Sequence, residues 1–259
     1  MTSGASHVAA LYDIHGNLPA LEAVLAALDD MHDRAGEDPR SADIVIGGDM
    51  VPGPMPRETL DRLLALGDRA LFIGGNCDRL VVDAIDGRAL PRMPDEVRES
   101  MEWTAAQLDA RHRDFLAALP PTQVMEVPGL GAVRFCHATP RSDEEIVTVL
   151  TPVERLREVL NGVRERVVVC GHTHMHFDRR VDDVRLVNAG SVGMPFGEPG
   201  AHWLRLGPDA EPVRTPYDAV RCAELVRATS YPQRSEFASR NVLAPPSERE
   251  MLRVFEPAP

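Results

Sequence analysis

Lysine is absent from the 259 residues, and all 28 basic side chains are arginine. Schiff-base chemistry on lysine is thereby excluded, and any cationic contact to phosphate must come from a guanidinium. Cysteine is scarce: Cys77, Cys136, Cys170 and Cys222 form no C-x-x-C pair and no dense framework. They read as reduced thiols of a cytoplasmic protein. No apolar run approaches the roughly 20 residues of a membrane span. The start, Met-Thr-Ser-Gly-Ala-Ser-His, lacks a basic region followed by an apolar one, so neither export nor membrane association is expected. Positive charge is also in deficit. Forty acidic residues against 28 basic ones give a formal charge of −12, which repels polyanions and makes a nucleic-acid polymer an unexpected partner. There is no internal repeat or low-complexity tract. With 44% hydrophobic residues the chain can bury a sizeable core, which excludes collagenous, disordered and mini-protein classes.

What is present is a succession of strand, tight turn and helix. His7-Val-Ala-Ala-Leu-Tyr12 ends in Asp13-Ile-His-Gly-Asn17, followed by a helical pattern from Leu18 to about Met31. Asp43-Ile-Val-Ile46 leads into Gly47-Gly-Asp49 and a helix over Pro56 to Leu66. Ala70-Leu-Phe-Ile73 leads into Gly74-Gly-Asn-Cys-Asp78. Three such units imply a mostly parallel sheet with its polar residues gathered at one edge. An amphipathic stretch between about Pro94 and Leu119 reads as part of a helical insertion over about residues 80–120. Strand signals return at Gln123–Val127, Ala132–Cys136 and Val167–Cys170, with a helix at Pro152–Leu160 between them. Val184–Val187 and His202–Leu206 follow without helices, which points to an antiparallel second sheet. The expected class is α/β: two sheets face to face with helices outside, in one domain over 1–259. Residues 207–259 form a C-terminal extension with one helix, Tyr217 to Thr229, and no chemical motif.

The strand ends supply Asp13, His15, Asp49, Asn76, His137, His172 and His174. Mixed carboxylate and imidazole groups suit Mn, Fe, Ni or Zn, whereas an oxygen-only set points to Ca or Mg. Seven groups exceed the needs of one ion. Two ions about 3.5–4 Å apart that share one carboxylate use them all and leave positions for water and substrate. Taken singly, each fragment has an ordinary explanation, as an Asx turn, a helix cap, a left-handed asparagine or a half-buried histidine. Only Gly171-His172-Thr173-His174 is moderately specific alone. The conjunction of five fragments, each after a strand, carries the reading.

The ordered series Asp13-Ile14-His15, Gly48-Asp49, Gly75-Asn76-Cys77-Asp78, His137 and Gly171-His172-Thr173-His174 resembles that of the calcineurin-like metallophosphoesterases, over about residues 7–206. Asn188-Ala-Gly-Ser191 is similar to a turn in the small bacterial members. The resemblance implies the four-layer αββα fold and two divalent ions. It assigns Asp13, His15 and His174 to one ion, Asn76, His137 and His172 to the other, and Asp49 to both. Asp49, Asn76 and His137 are then the groups nearest the chemistry. The implied reaction is in-line attack on phosphorus by a hydroxide lying between the ions, and the substrate a small phosphodiester or nucleotide. A dinucleoside polyphosphate hydrolase, a phosphomonoesterase and a non-catalytic scaffold of the same fold are the alternatives.

One position departs from the larger enzymes of the family. Cys77 stands where they carry a histidine that assists the leaving oxygen, and a thiol is a weak donor without an imidazolium's charge. This G-N-C-D variant is similar to the compact bacterial and archaeal phosphodiesterases, with Asp78 left to cap the next helix. Cys77 is a tentative substrate contact, as are Arg79 and Arg141, which otherwise read as surface arginines. Cys136 and Cys170 are excluded as ligands, because side-chain alternation points them away from their neighbouring site residues.

Overall fold

A computed structural model describes residues 7–36 and 43–256. The opening Met1–Ser6 of the export argument and the last three residues of the C-terminal extension lie outside the described residues. In chain order the elements are β1 (Val8–Leu11), α1 (Leu18–Ala35), β2 (Ile44–Ile46), α2 (Pro56–Leu64), β3 (Ala70–Phe72), α3 (Asn76–Ile85), α4 (Asp95–Gln107) and α5 (Ala110–Ala117). There follow β4 (Thr122–Val127), β5 (Gly131–Cys136), α6 (Val153–Val159), β6 (Val167–Cys170), β7 (Phe177–Val181), β8 (Val184–Asn188), β9 (Ala201–Leu206) and β10 (Ala210–Thr215). The chain ends with α7 (Ala219–Ala228), a single turn α8 (Arg234–Glu236) continued by a π-helix (Phe237–Leu243), and α9 (Glu248–Phe255).

Among the described residues these strands form two five-stranded sheets, ordered β10-β9-β1-β2-β3 and β4-β5-β6-β8-β7. The apolar runs in β1 and β6 follow from burial on both faces. Along β1, Ala9 and Leu11 face α1 and α2, in a cluster with Leu21, Leu25 and Leu60. Val8 and Ala10 face the other way, meeting Val133, Phe135 and Val169 of the second sheet. The outer face of that sheet is covered by α6 through Leu156 and Val159. Helices therefore lie outside both sheets, as the α/β sandwich reading requires. No helix of the described residues is long and apolar enough to cross a membrane.

The sheets depart from the sequence reading in one respect. His202–Leu206 lies in β9, which pairs antiparallel with β1 in the first sheet rather than joining Val184–Val187 in the second. Trp203, Leu204 and Leu206 are all buried, and Trp203 and Leu204 belong to cores on opposite faces. A strand buried on both sides carries no alternation to say which sheet it joins. The segment expected as one amphipathic helical stretch is two helices, α4 and α5, separated where Asp109 caps the second through His112 N (3.2 Å).

Candidate metal centre

The site sits where β1, β2, β3, β5 and β6 end at a common edge of the two sheets, each strand delivering its polar residues in the loop that follows or, for Asn76, at the start of α3. Those loops are strained. Six non-glycine residues of the described chain have left-handed backbone, and five of them are Asp13, His15, Asp49, His172 and His174, with φ from 47° to 67°. Such conformations cost about 1–3 kcal/mol each and persist only where the surroundings impose them. Two glycines show the crowding. A Cβ on Gly75 would lie 2.2 Å from Asp49 Oδ1, and one on Gly48, whose φ is 90°, would lie 2.8 Å from His137 Nδ1.

Each aspartate uses one carboxylate oxygen to fix a loop and leaves the other facing imidazoles. Asp13 Oδ2 accepts from His172 N (2.9 Å), and Asp49 Oδ1 accepts from Cys77 N (2.9 Å). Asp13 Oδ1 then lies 3.5 Å from His174 Nε2 and 3.9 Å from His137 Nε2. Asp49 Oδ2 lies 3.4 Å from His137 Nε2 and 3.8 Å from His15 Nε2. The backbone sets the tautomers. His137 Nδ1 donates to Gly47 O (3.0 Å) and His174 Nδ1 to Met194 O (2.8 Å), so each presents its Nε2 to the interior. The neighbours of that His137 nitrogen are acceptors, Asn76 Oδ1 at 3.1 Å and Asp49 Oδ2.

Lone pairs facing lone pairs in a buried space require positive charge between them. Asp13 Oδ1 is fully buried with no hydrogen-bond partner. Burial works against a charged His137 imidazole, but Asp49 and Asp13 outweigh it and push the group up to about 10. Asp49 is held far below the usual carboxylate range, since His137 and His15 overcome the burial that would raise it. His15, lacking so close a carboxylate, is pushed down to about 4 by burial and by His174. The ligand atoms fall into two groups, each within 4.8 Å: Asp13, His15 and His174, and Asp49, His137 and His172. Asn76 joins the second, and Asp49 Oδ2 faces both. Borderline divalent cations fit this donor set.

Four supporting residues complete the frame. Asp78 does more than cap α3: beyond Gly75 N (3.0 Å), it accepts from Met50 N (3.0 Å) and Val51 N (3.2 Å), tying the Asp49 loop to the Asn76 loop. Burial and the neighbouring Asp49 push its carboxyl up to about 7, against those donors. Asn188 donates to Gly171 O (2.6 Å), Ser191 donates to Asp13 O (2.8 Å), and Asn17 donates to Gly193 O (3.0 Å). The functions of Asp78 and Asn17 left no sequence signal beyond capping, because they act on backbone groups distant in the chain.

Both arginines are paired with acids, and neither lines the cavity that holds His15 and Cys77. Arg79 binds Asp143 (2.8 Å) and Glu144 (2.7 Å), while Arg141 binds Glu145 (2.6 Å) and the Glu158 carbonyl (3.2 Å). Cys77 does lie beside the centre, lining the same cavity as His15. Burial and the nearby Asp49 push its thiol well above the ordinary range, so it is neutral. Cys136 is buried on the outer face of the second sheet, where burial pushes it up to about 12. His176 and His202 are held by the carbonyls of Asn188 (2.7 Å) and Glu198 (2.8 Å), outside both ligand groups.

Residues 7–207 match the calcineurin-like phosphoesterase superfamily domain. Among solved structures, the chain is similar to a hypothetical protein from Pyrococcus horikoshii OT3, with 21% identity, a TM-score of 0.75, and 95% of this chain and 100% of that one covered. It is also similar to a metallophosphoesterase from Sphaerobacter thermophilus, with 25% identity, a TM-score of 0.70, and coverage of 93% and 99%. No curated protein gives a significant match.

Proposed function

The chain belongs to the calcineurin-like phosphoesterase superfamily, and from that premise we propose that it hydrolyses a small phosphodiester or nucleotide with two divalent cations. Asp13, His15 and His174 would hold one, and Asn76, His137 and His172 the other, with Asp49 serving both. The observation that carries this reading is the Asp49 carboxylate, whose Oδ2 faces His15 of one ligand group and His137 of the other. When bound, the cations supply Lewis acidity, making a water nucleophilic at neutral pH and drawing charge from the phosphoryl oxygens.

The chain's own residues hold that arrangement rigid. Gly47 O and Met194 O fix the ring orientations of His137 and His174, so no rotamer search precedes substrate binding. Backbone amides of His172 and Cys77 pin the two carboxylates, leaving one oxygen of each free to ligate. The neutral Cys77 thiol is a poor nucleophile. The imidazoles are committed to ligation, so water is the attacking group and no phosphorylated side chain is expected.

The test is turnover of bis-p-nitrophenyl phosphate, p-nitrophenyl phosphate and diadenosine tetraphosphate, before and after exhaustive chelation and with Mn(II), Ni(II) or Mg(II) restored. The diester should be cleaved best, lose turnover on chelation and regain it with a transition metal. Asp49→Asn should lower the rate by about 100-fold or more. Full turnover after chelation contradicts the reading, as does failure of all three esters to react with metal present.

A further inference from the structure

A cavity of about 530 Å³ opens directly onto the metal centre at His15 and Cys77. This volume is in the range of small-molecule sites. Its far wall comes from the C-terminal segment, past the residues that the family domain matches. The lining is dominated by Met101, Met194, Phe196, Tyr231, Phe237 and Met251. Phe196 stacks on His174 with ring centres 5.3 Å apart, so the aromatic wall begins at a ligand itself. The π-helical turn Phe237–Leu243 brings Phe237, Arg240 and Asn241 to this one cavity. π-helical turns are rare and concentrate at functional sites.

The wall is anchored. Ser100 of α4 meets Tyr231 Oη at 2.8 Å and also bonds Gln233, whose amide donates to Glu99 (3.0 Å). Trp103 packs edge-on against Tyr231 at 5.3 Å. The helical insertion and the C-terminal segment therefore close on each other beside the candidate metal centre. The charge of the lining is unsuited to a chain of phosphates. Arg240 is its sole arginine, and Glu250 lies 3.3 Å from that guanidinium, while Glu96 and Glu236 add negative charge.

We propose that this cavity receives the organic group of the substrate, and that the group is a bulky aromatic one, aryl or nucleoside, carrying a single phosphate. Thioethers and ring edges suit an aromatic face, and such burial is lost on a short alkyl ester. The proposal rests on the phosphoesterase reading above and adds the identity of the ester group.

The experiment uses the full chain with Mn(II) and measures competitive inhibition of bis-p-nitrophenyl phosphate hydrolysis by methyl phosphate, phenyl phosphate and thymidine 5′-phosphate. Phenyl and thymidine esters should bind at least about tenfold tighter than the methyl ester, as burial of a ring predicts. Val97 lines the cavity on α4 and is 41% exposed, so Val97→Trp narrows the space without disturbing a core. That variant and Met251→Ala should erase most of the preference and leave the methyl phosphate constant unchanged. Equal constants in the wild type overturn the proposal while the phosphoesterase reading stands, and so does a preference that survives both substitutions. Absence of diester turnover overturns the phosphoesterase reading and the proposal with it.

Discussion

Replacing Asp78 separates a helix cap from a metal-site brace. Its carboxylate accepts three backbone N–H groups, from Gly75, Met50 and Val51, at 3.0–3.2 Å, and it is 1% exposed. If it only capped α3, Asp78→Ala would cost about 1 kcal/mol and leave the centre untouched. Three buried donors left unpaired cost roughly 1–3 kcal/mol apiece before relaxation. Part of that is returned, because burial and Asp49 already strain this carboxyl, pushing it up to about 7. A net loss of about 2–4 kcal/mol in urea unfolding is expected. The sharper readout is metal affinity. Met50 and Val51 directly follow Asp49, so their release lets that carboxylate drift, and supporting partners of this kind are worth about 10–100-fold in affinity, or ~1.4–2.7 kcal/mol. Calorimetric titration of the apoprotein with Mn(II) measures it. Asp78→Asn, which keeps one acceptor oxygen, should fall between. Asp218→Ala is the control, since it removes only the α7 cap at Arg221 N (2.9 Å). Unchanged metal affinity in Asp78→Ala alongside lowered stability would refute the bracing role.

Two further outcomes follow from the same geometry. Arg79→Ala and Arg141→Ala should leave kcat/KM within about twofold, because exposed guanidiniums already paired with Asp143, Glu144 and Glu145 contribute little; a tenfold loss in steady-state assays would return either to the substrate site. Metal binding should release protons at pH 7. The apoprotein's His137, pushed up to about 10, is protonated there, and a cation at Nε2 must displace that proton. Affinity should therefore weaken as pH falls, and calorimetry in two buffers of different ionisation enthalpy should report at least one proton released per chain, since Asp13 raises the His174 imidazole as well. No proton release would contradict the geometry that charges this imidazole.

The candidate ligands were legible because each follows a strand whose buried run is unmistakable, as with Val167-Val-Val-Cys170 before Gly171-His172-Thr173-His174. Chain order alone could gather them once the strands were known to end at one edge. Assignment of β9 was not legible, since Trp203 and Leu204 are buried on opposite faces and a doubly buried strand fits either sheet. The arginine pairings were partly legible: Arg141 and Glu145 stand four apart, and Asp143 and Glu144 lie between them. The cavity wall was not legible at all. Met251 and Phe237 look like ordinary core residues, and they line a site only because the C-terminal segment meets α4, where Tyr231 bonds Ser100.

The most direct measurement is the metal content of the purified protein after loading and desalting, compared with two single-ligand variants. Wild type should retain two dications per chain. His174→Ala should lose the ion grouped with Asp13 and His15, and His172→Ala the ion grouped with Asp49 and His137, leaving one in each. A wild-type content of one ion per chain or fewer would contradict the dinuclear centre, as would a stoichiometry that neither substitution moves.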